Sequence, residues 1–157
     1  MLLSFFGNAV RAICISSADS IPKDSLVNFA KKHLGIKYHY ANCTPKAGFD
    51  CSGFVFYVFA HFNVKVPRAS MDYEKAGKII SADSCCAGDI IVFTGTHPKN
   101  RAPGHVGIIL SNTGGEINFI HSSSGKKHGG VIVTNLKTSP YYQNRFIKIV
   151  RLNAVIY

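Results

Sequence analysis

The feature that most constrains this chain is a change of period partway along it. In the second half, DIIVFT, HVGIILS, INFIHS, GVIVTN and RFIKIVRL are short β-rich runs separated by clusters of Gly, Asn, Ser and Pro. The first half carries helical spacing instead. Leu26, Phe29, Ala30, His33 and Leu34 recur at helical intervals, with Pro22 suited to a first turn and Gly35 to a position just past the end. The spacing predicts a helix from about Pro22 to Leu34. A second run, CSGFVFYVFAHF, places Phe54, Val58 and Phe62 on one line and Val55 and Phe59 on the next. Its β-branched and aromatic content also suits a strand, but its length favours a helix that is apolar on most of its surface and therefore buried. A short helix is expected to start at Ser70, with Asp72 and Glu74 in its first turns. Helices first and strands after predict an α+β fold, with the N-terminal helices packed on an antiparallel sheet of about five strands.

At 157 residues the chain is one domain's worth and can bury a core without staples. Residues 21–157 are read as that single domain. Residues 1–20 form an apolar N-terminal segment, either a shortened signal peptide or a packing segment, since Arg11 interrupts it and no basic stretch precedes it. No uncharged apolar run reaches 18 residues, so no stable membrane insertion is expected. The formal charge of +10 favours an anionic partner: nucleic acid, anionic lipid or bacterial cell wall. The basic residues are scattered and no nucleic-acid motif accompanies them, which argues against nucleic acid.

GFDCSGFVF, residues 48–56, sets an acid, a thiol and a hydroxyl side by side between glycines. Cys51 in this stretch is open to four readings: a buried spacer, a disulfide partner, a metal ligand or a nucleophile. The five cysteines, Cys14, Cys43, Cys51, Cys85 and Cys86, include no CxxC pair, so no metal site is expected. Cys43, Cys85 and Cys86 are read as small apolar thiols, of which oxidation could pair one. On this layout Cys51 opens the central helix, where unpaired N–H groups stabilise a thiolate, and Gly53 keeps the approach to the sulfur open. A nucleophile needs a base and a group that orients it. His105 opens the run HVGIILS and His121 lies near the end of INFIHS. If those strands are antiparallel neighbours joined through NTGGE, the two imidazoles meet at one sheet edge.

YHYANCTPKAGFDCSGFVFYVF, VPRAS, AGDIIVF, GHVGIIL, NFIHSSSG and YYQNRF…RL occur in the order and spacing of the NlpC family, and the chain resembles it from about Ser25 to Leu152. These are papain-like cysteine peptidases of bacterial cell walls. The resemblance implies Cys51 as nucleophile, His105 as general base and acid, and His121 as the residue orienting His105. It implies Tyr38, Asp50 and Ser52 as residues lining the substrate cleft. The substrate it implies is a peptidoglycan stem peptide or muropeptide, cut between D-γ-glutamyl and a diamino acid through a thioacyl-enzyme, with no cofactor. It further implies an exported, periplasmic or envelope-associated protein that acts as a monomer. An amidase or acyltransferase on the same framework, or an idle wall-binding module, are the alternatives.

Two departures from the family pattern stand out. Ala41-Asn42-Cys43 occupies the place where many members have two glycines, and GTHPKNRAPG before His105 is longer and more basic than usual. His33, His39 and His61 are read as structural or surface residues. His97 and His128 are read as loop residues near the cleft, and Arg68 and Ser70 as residues closing a turn.

Overall fold

The computed structural model describes residues 21–97, 100–125 and 129–153. The expectations for the N-terminal segment, Cys14 and His128 lie outside the described residues. Helix α1 spans Lys23–Lys31 with Pro22 as its N-cap. It is shorter than its spacing suggests, because the chain turns over residues 32–35 and Gly35 adopts φ 83°. A two-stranded hairpin follows, β1 (Cys43–Thr44) and β2 (Gly48–Phe49). Helix α2 then spans Cys51–Ala60, and the helical reading of the aromatic run is the one the chain adopts. The segment Ser70–Lys75 is a 3-10 turn rather than an α-helix, with Ala69 and not Ser70 in the cap position.

Eight strands in all are found among the described residues, six of them in one antiparallel sheet. These six are β3 (Gly77–Ile80), β4 (Ile90–Thr94), β5 (Pro103–Thr113), β6 (Glu116–Ser123), β7 (Gly130–Asn135) and β8 (Phe146–Leu152), in the order β3-β8-β4-β5-β6-β7. The sixth strand, β3, was not expected from sequence. It is a four-residue edge strand, half exposed, whose GKII carries no clear alternation. Helix α3 (Pro140–Arg145) sits between β7 and β8.

The sheet is buried on both faces. On one, Val92, Val106, Ile108, Ile120 and Val150 pack with Phe54, Val55, Val58 and Phe59 of α2 and with Leu26 and Ala30 of α1. On the other, Ile91, Phe93, Ile109, Phe119 and Ile149 pack around Tyr142 of α3. The tip of α2 is tied to the sheet by one buried bond: the Ser122 hydroxyl of β6 donates to the Phe49 carbonyl at 2.7 Å, two residues before Cys51. Among the described residues no helix is long and apolar enough to cross a membrane.

Candidate active site

Helix α2 starts where it does because Asp50 caps it. The Asp50 carboxylate accepts from the Gly53 N–H at 2.6 Å. Arg68 grips the same carboxylate with both terminal nitrogens, at 2.9 and 2.7 Å, and also donates to the Ser52 hydroxyl at 3.1 Å. Arg68 thus does more than close the turn into the next segment: it holds the cap of the helix that carries Cys51. Gly53 has a different reason from the one its position suggested. A Cβ there would run into the Asn42 carbonyl oxygen, so the glycine lets the preceding loop lie against the helix start. That loop turns at Ala41, whose φ of 59° lies in the left-handed region that favours glycine.

The two histidines come together across β5 and β6. In the β5–β6 register Ile108 faces Ile120, and the same register sets His121 opposite Gly107 and diagonal to His105. Gly107 leaves room for this, since a Cβ there would press on the His121 Cβ at 3.1 Å. His105 Nε2 lies 3.0 Å from His121 Nδ1, and the rings stand at 89° to each other. His121 Nε2 in turn lies 3.0 Å from the Thr134 hydroxyl on β7. The row can run in either direction, and the direction that frees a nitrogen toward the cavity is the one a base needs. In that direction His105 donates from Nε2 to His121 Nδ1, and His121 donates from Nε2 to Thr134. His105 Nδ1 is then left unprotonated and able to accept. Thr134 was not singled out from sequence, because its contact crosses a strand register that the residues alone do not fix.

Cys51 and His105 line one cavity of about 710 Å³, together with Tyr38, Tyr142 and Arg145. Cys51 is 8% exposed, His105 7% and His121 wholly buried. Burial sets their ionisation. It pushes the Cys51 thiol up, helped by the Asp50 carboxylate and opposed by backbone N–H groups at Val106, Ser52 and Cys51 itself. Burial pushes His105 well down, with His121 and Arg145 adding to the effect, and His121 down to about 3, with Arg145 again adding. The resting pair is therefore a neutral thiol and a neutral imidazole. At this site desolvation outweighs the helix-end effect, which alone favours the thiolate.

Tyr38 is bridged to Phe49 and lines the 710 Å³ cavity as well as a second depression of about 500 Å³ that holds Asp50, Ser52 and Arg68. Burial, then Cys51 and Asp50, raise its phenol pKa, so its hydroxyl stays a donor. His33 bonds the Phe29 carbonyl of its own helix at 2.9 Å, His39 contacts Asn42 at 2.7 Å, and His61 stacks on Phe29 at 3.7 Å. His97 lies beside a neighbouring depression with Arg101. Cys86 is disulfide-bonded, whereas Cys43, Cys51 and Cys85 are free. Among the described residues no group of three or more His, Cys, Asp or Glu is gathered to hold a metal ion.

A cysteine at the tip of a buried helix, beside a histidine pair on an antiparallel sheet, sets the chain among papain-like α+β proteins. It belongs to the NlpC/P60 family, whose sequence pattern matches residues 35–151. The chain is 34% identical over 140 residues to the gamma-DL-glutamyl hydrolase of Bacillus subtilis strain 168, covering 89% of this chain and 32% of that protein. It is 31% identical over 113 residues to the murein DD-endopeptidase/LD-carboxypeptidase MepS of Escherichia coli K12, covering 71% of this chain and 53% of that one. Among solved structures it resembles an NlpC/P60 family protein from Bacillus cereus, with a TM-score of 0.72 and 25% identity, covering 90% of this chain and 42% of the other. The chain thus spans about a third to a half of the length of the curated relatives it matches.

Proposed function

We propose that this domain is a cysteine peptidase that hydrolyses the D-γ-glutamyl–diamino acid bond of peptidoglycan stem peptides. The observation that carries the reading is the His105–His121 bond of 3.0 Å at the wall of the cavity that also exposes Cys51. The names of the relatives, a gamma-DL-glutamyl hydrolase and a murein endopeptidase, supply the substrate class.

The chemistry starts from the neutral pair. His105 Nδ1 takes the thiol proton as the Cys51 sulfur attacks the γ-glutamyl carbonyl carbon, so the ion pair forms during attack. His121 keeps the His105 ring oriented and takes up part of the imidazolium charge through the bond from His105 Nε2. The Cys51 backbone N–H, in the first turn of α2, and the Tyr38 hydroxyl meet the oxyanion; one such donor is worth about 10²–10³ in rate. His105 then gives its proton to the leaving amine, which departs and leaves the thioester. Water, deprotonated by the same nitrogen, attacks the thioester and restores the thiol. Asp50 and Ser52 border the acyl side of the cleft, where Arg68 fixes them. The substrate places the protein at or outside the cell envelope, and the Cys86 disulfide suits an oxidising compartment. Every group used comes from one chain, so the proposed chemistry needs no second copy.

A muropeptide digest read by mass spectrometry tests this, wild type beside Cys51→Ala. The wild type is expected to release the L-Ala-D-Glu end and the diamino-acid fragment, and Cys51→Ala to release neither while keeping its fold by circular dichroism. Cleavage by the wild type at a D,D bond instead would move the proposal to the activity named for the Escherichia coli relative. Turnover by Cys51→Ala would remove the nucleophile assignment.

A further inference from the structure

Two depressions meet at Cys51, and they differ in one catalytic group and in charge. The smaller, about 500 Å³, holds Asp50, Ser52 and Arg68 and does not reach His105. The larger, about 710 Å³, is walled by His105 and extends to Tyr141, Tyr142 and Arg145. A general acid has to stand beside the nitrogen it protonates. On the reaction proposed above, the leaving half of the substrate therefore occupies the larger cavity and the acyl half the smaller.

The charge of the two sides is unequal. Asp50 and Arg68 pair at 2.7 Å and cancel on the acyl side. On the leaving side Arg145 stands among the lining residues without any Asp or Glu. Its Nε and Nη2 donate to the Thr94 carbonyl at 3.2 and 2.5 Å, and its guanidinium lies 4.6 Å from the Tyr141 ring centre and 5.8 Å from that of Tyr142. These contacts fix the plane of the fork. Its remaining nitrogen, Nη1, donates to no described residue, and no described carboxylate forms an ion pair with Arg145. The adjoining depression shares Arg145 and adds Arg101 and His97, again with no acid in its wall. A fixed, partly buried guanidinium with open donors is built for a planar anion. Left without one, it also works against the site, since its charge depresses both imidazoles.

We propose that Arg145 is a specificity-determining residue that binds a carboxylate on the leaving half of the substrate, the side-chain carboxylate that meso-diaminopimelate carries and L-lysine lacks. The inference rests on the peptidase reading for the identity of the two halves. It makes this domain selective for diaminopimelate-type stems. Docking of that carboxylate would also cancel the Arg145 charge felt by His105 and make the imidazole a better proton acceptor just when substrate is present.

The test reads binding apart from cutting. In the full chain carrying Cys51→Ala, calorimetry measures the affinity for two C-terminally amidated peptides, L-Ala-γ-D-Glu-meso-diaminopimelate and L-Ala-γ-D-Glu-L-Lys. The diaminopimelate peptide is expected to bind about tenfold or more tighter, the scale of one charge-assisted pair. Adding Arg145→Gln should bring the ratio of the two affinities close to unity, and Arg145→Lys should keep part of it. Equal binding of both peptides by the parent overturns the proposal without any Arg145 variant. A preference that survives Arg145→Gln overturns it too, as does an equal fall for both peptides. A third peptide, amidated at the D-Glu α-carboxylate, guards the assignment of sides: if Arg145→Gln erases discrimination only against that peptide, the carboxylate belongs to the acyl half and the proposal fails. If the preference holds and follows Arg145 while the wild type cuts neither peptide, the peptidase reading falls and the carboxylate site stands.

Discussion

Cys51 is the residue on which two opposed electrostatic effects meet. The first turn of α2 offers it N–H groups, and its 8% exposure withdraws the water that a thiolate needs. Burial wins, so reactivity has to come from His105 accepting the proton during attack. This separates two variants by pH. Alkylation of wild-type Cys51 by iodoacetamide is expected to proceed near neutral pH through His105. In His105→Ala the only route is the free thiolate, and the rate should rise only above the thiol's usual value of 9.0, because the shift is upward. Labelling of the two proteins across pH 6–10, read by mass spectrometry at Cys51, checks this. A His105→Ala profile that titrates below pH 8 would mean that the helix end, not burial, governs the sulfur. At this scale the sequence was informative about residue types and about which side chains share an edge. It was silent on Thr134, whose place behind His121 depends on β6–β7 register, and it read Arg68 only as closing a turn, because the contact with Asp50 closes an 18-residue loop.

Helix α2 shows what a sequence leaves open at the scale of elements. CSGFVFYVFA satisfies a buried strand as well as a buried helix, since nearly every position is apolar or small. The deciding group lies just before it: Asp50, with its carboxylate on the Gly53 N–H and its own carbonyl accepting from the Phe54 N–H at 3.0 Å. An N-cap commits the next residues to a helix, and Arg68 keeps that cap in place from a distant loop. Asp50→Ala is expected to lower the unfolding free energy by about 2 kcal/mol, the upper end for a lost cap, because the Arg68 fork loses its partner as well. Asp50→Asn keeps a cap acceptor and should lose about half of that. Arg68→Ala should be milder still, since Arg68 is 39% exposed and solvent screens its charge. Urea titrations of the three variants give the order; a larger loss for Arg68→Ala than for Asp50→Ala would show that the ion pair, not the cap, holds the helix start. The edge strand β3 was missed for the converse reason. Its four residues gain their strand form from pairing with β8, Gly77 to Leu152 through Ile80 to Ile149, and from nothing local.

For the whole molecule, the consequence of the buried histidine pair is a stability that depends on pH. The fold holds His121 neutral down to about pH 3 and His105 well below the ordinary value of 6.5, whereas the unfolded chain protonates both near 6.5. Below that value the unfolded state binds more protons than the native one, so acid favours unfolding. The contribution of the pair is fully present above pH 6.5 and is lost progressively as the pH falls toward the folded values. Each imidazole kept neutral lowers the unfolding free energy by about 1.4 kcal/mol per pH unit in that window. A chain with a formal charge of +10 adds self-repulsion in the same direction. Urea unfolding between pH 7 and pH 5.5, above the range where ordinary carboxylates titrate, isolates the effect. The wild type is expected to be level near pH 7 and to fall with a slope approaching two protons per molecule. His121→Asn should fall with a slope approaching one, since one imidazole of the pair remains. A flat profile for the wild type would mean that the folded protein protonates these rings as readily as the unfolded chain does. Burial would then not be what keeps the resting imidazoles neutral, and below pH 6.5 His105 would already carry a proton from solvent and could not take the thiol's.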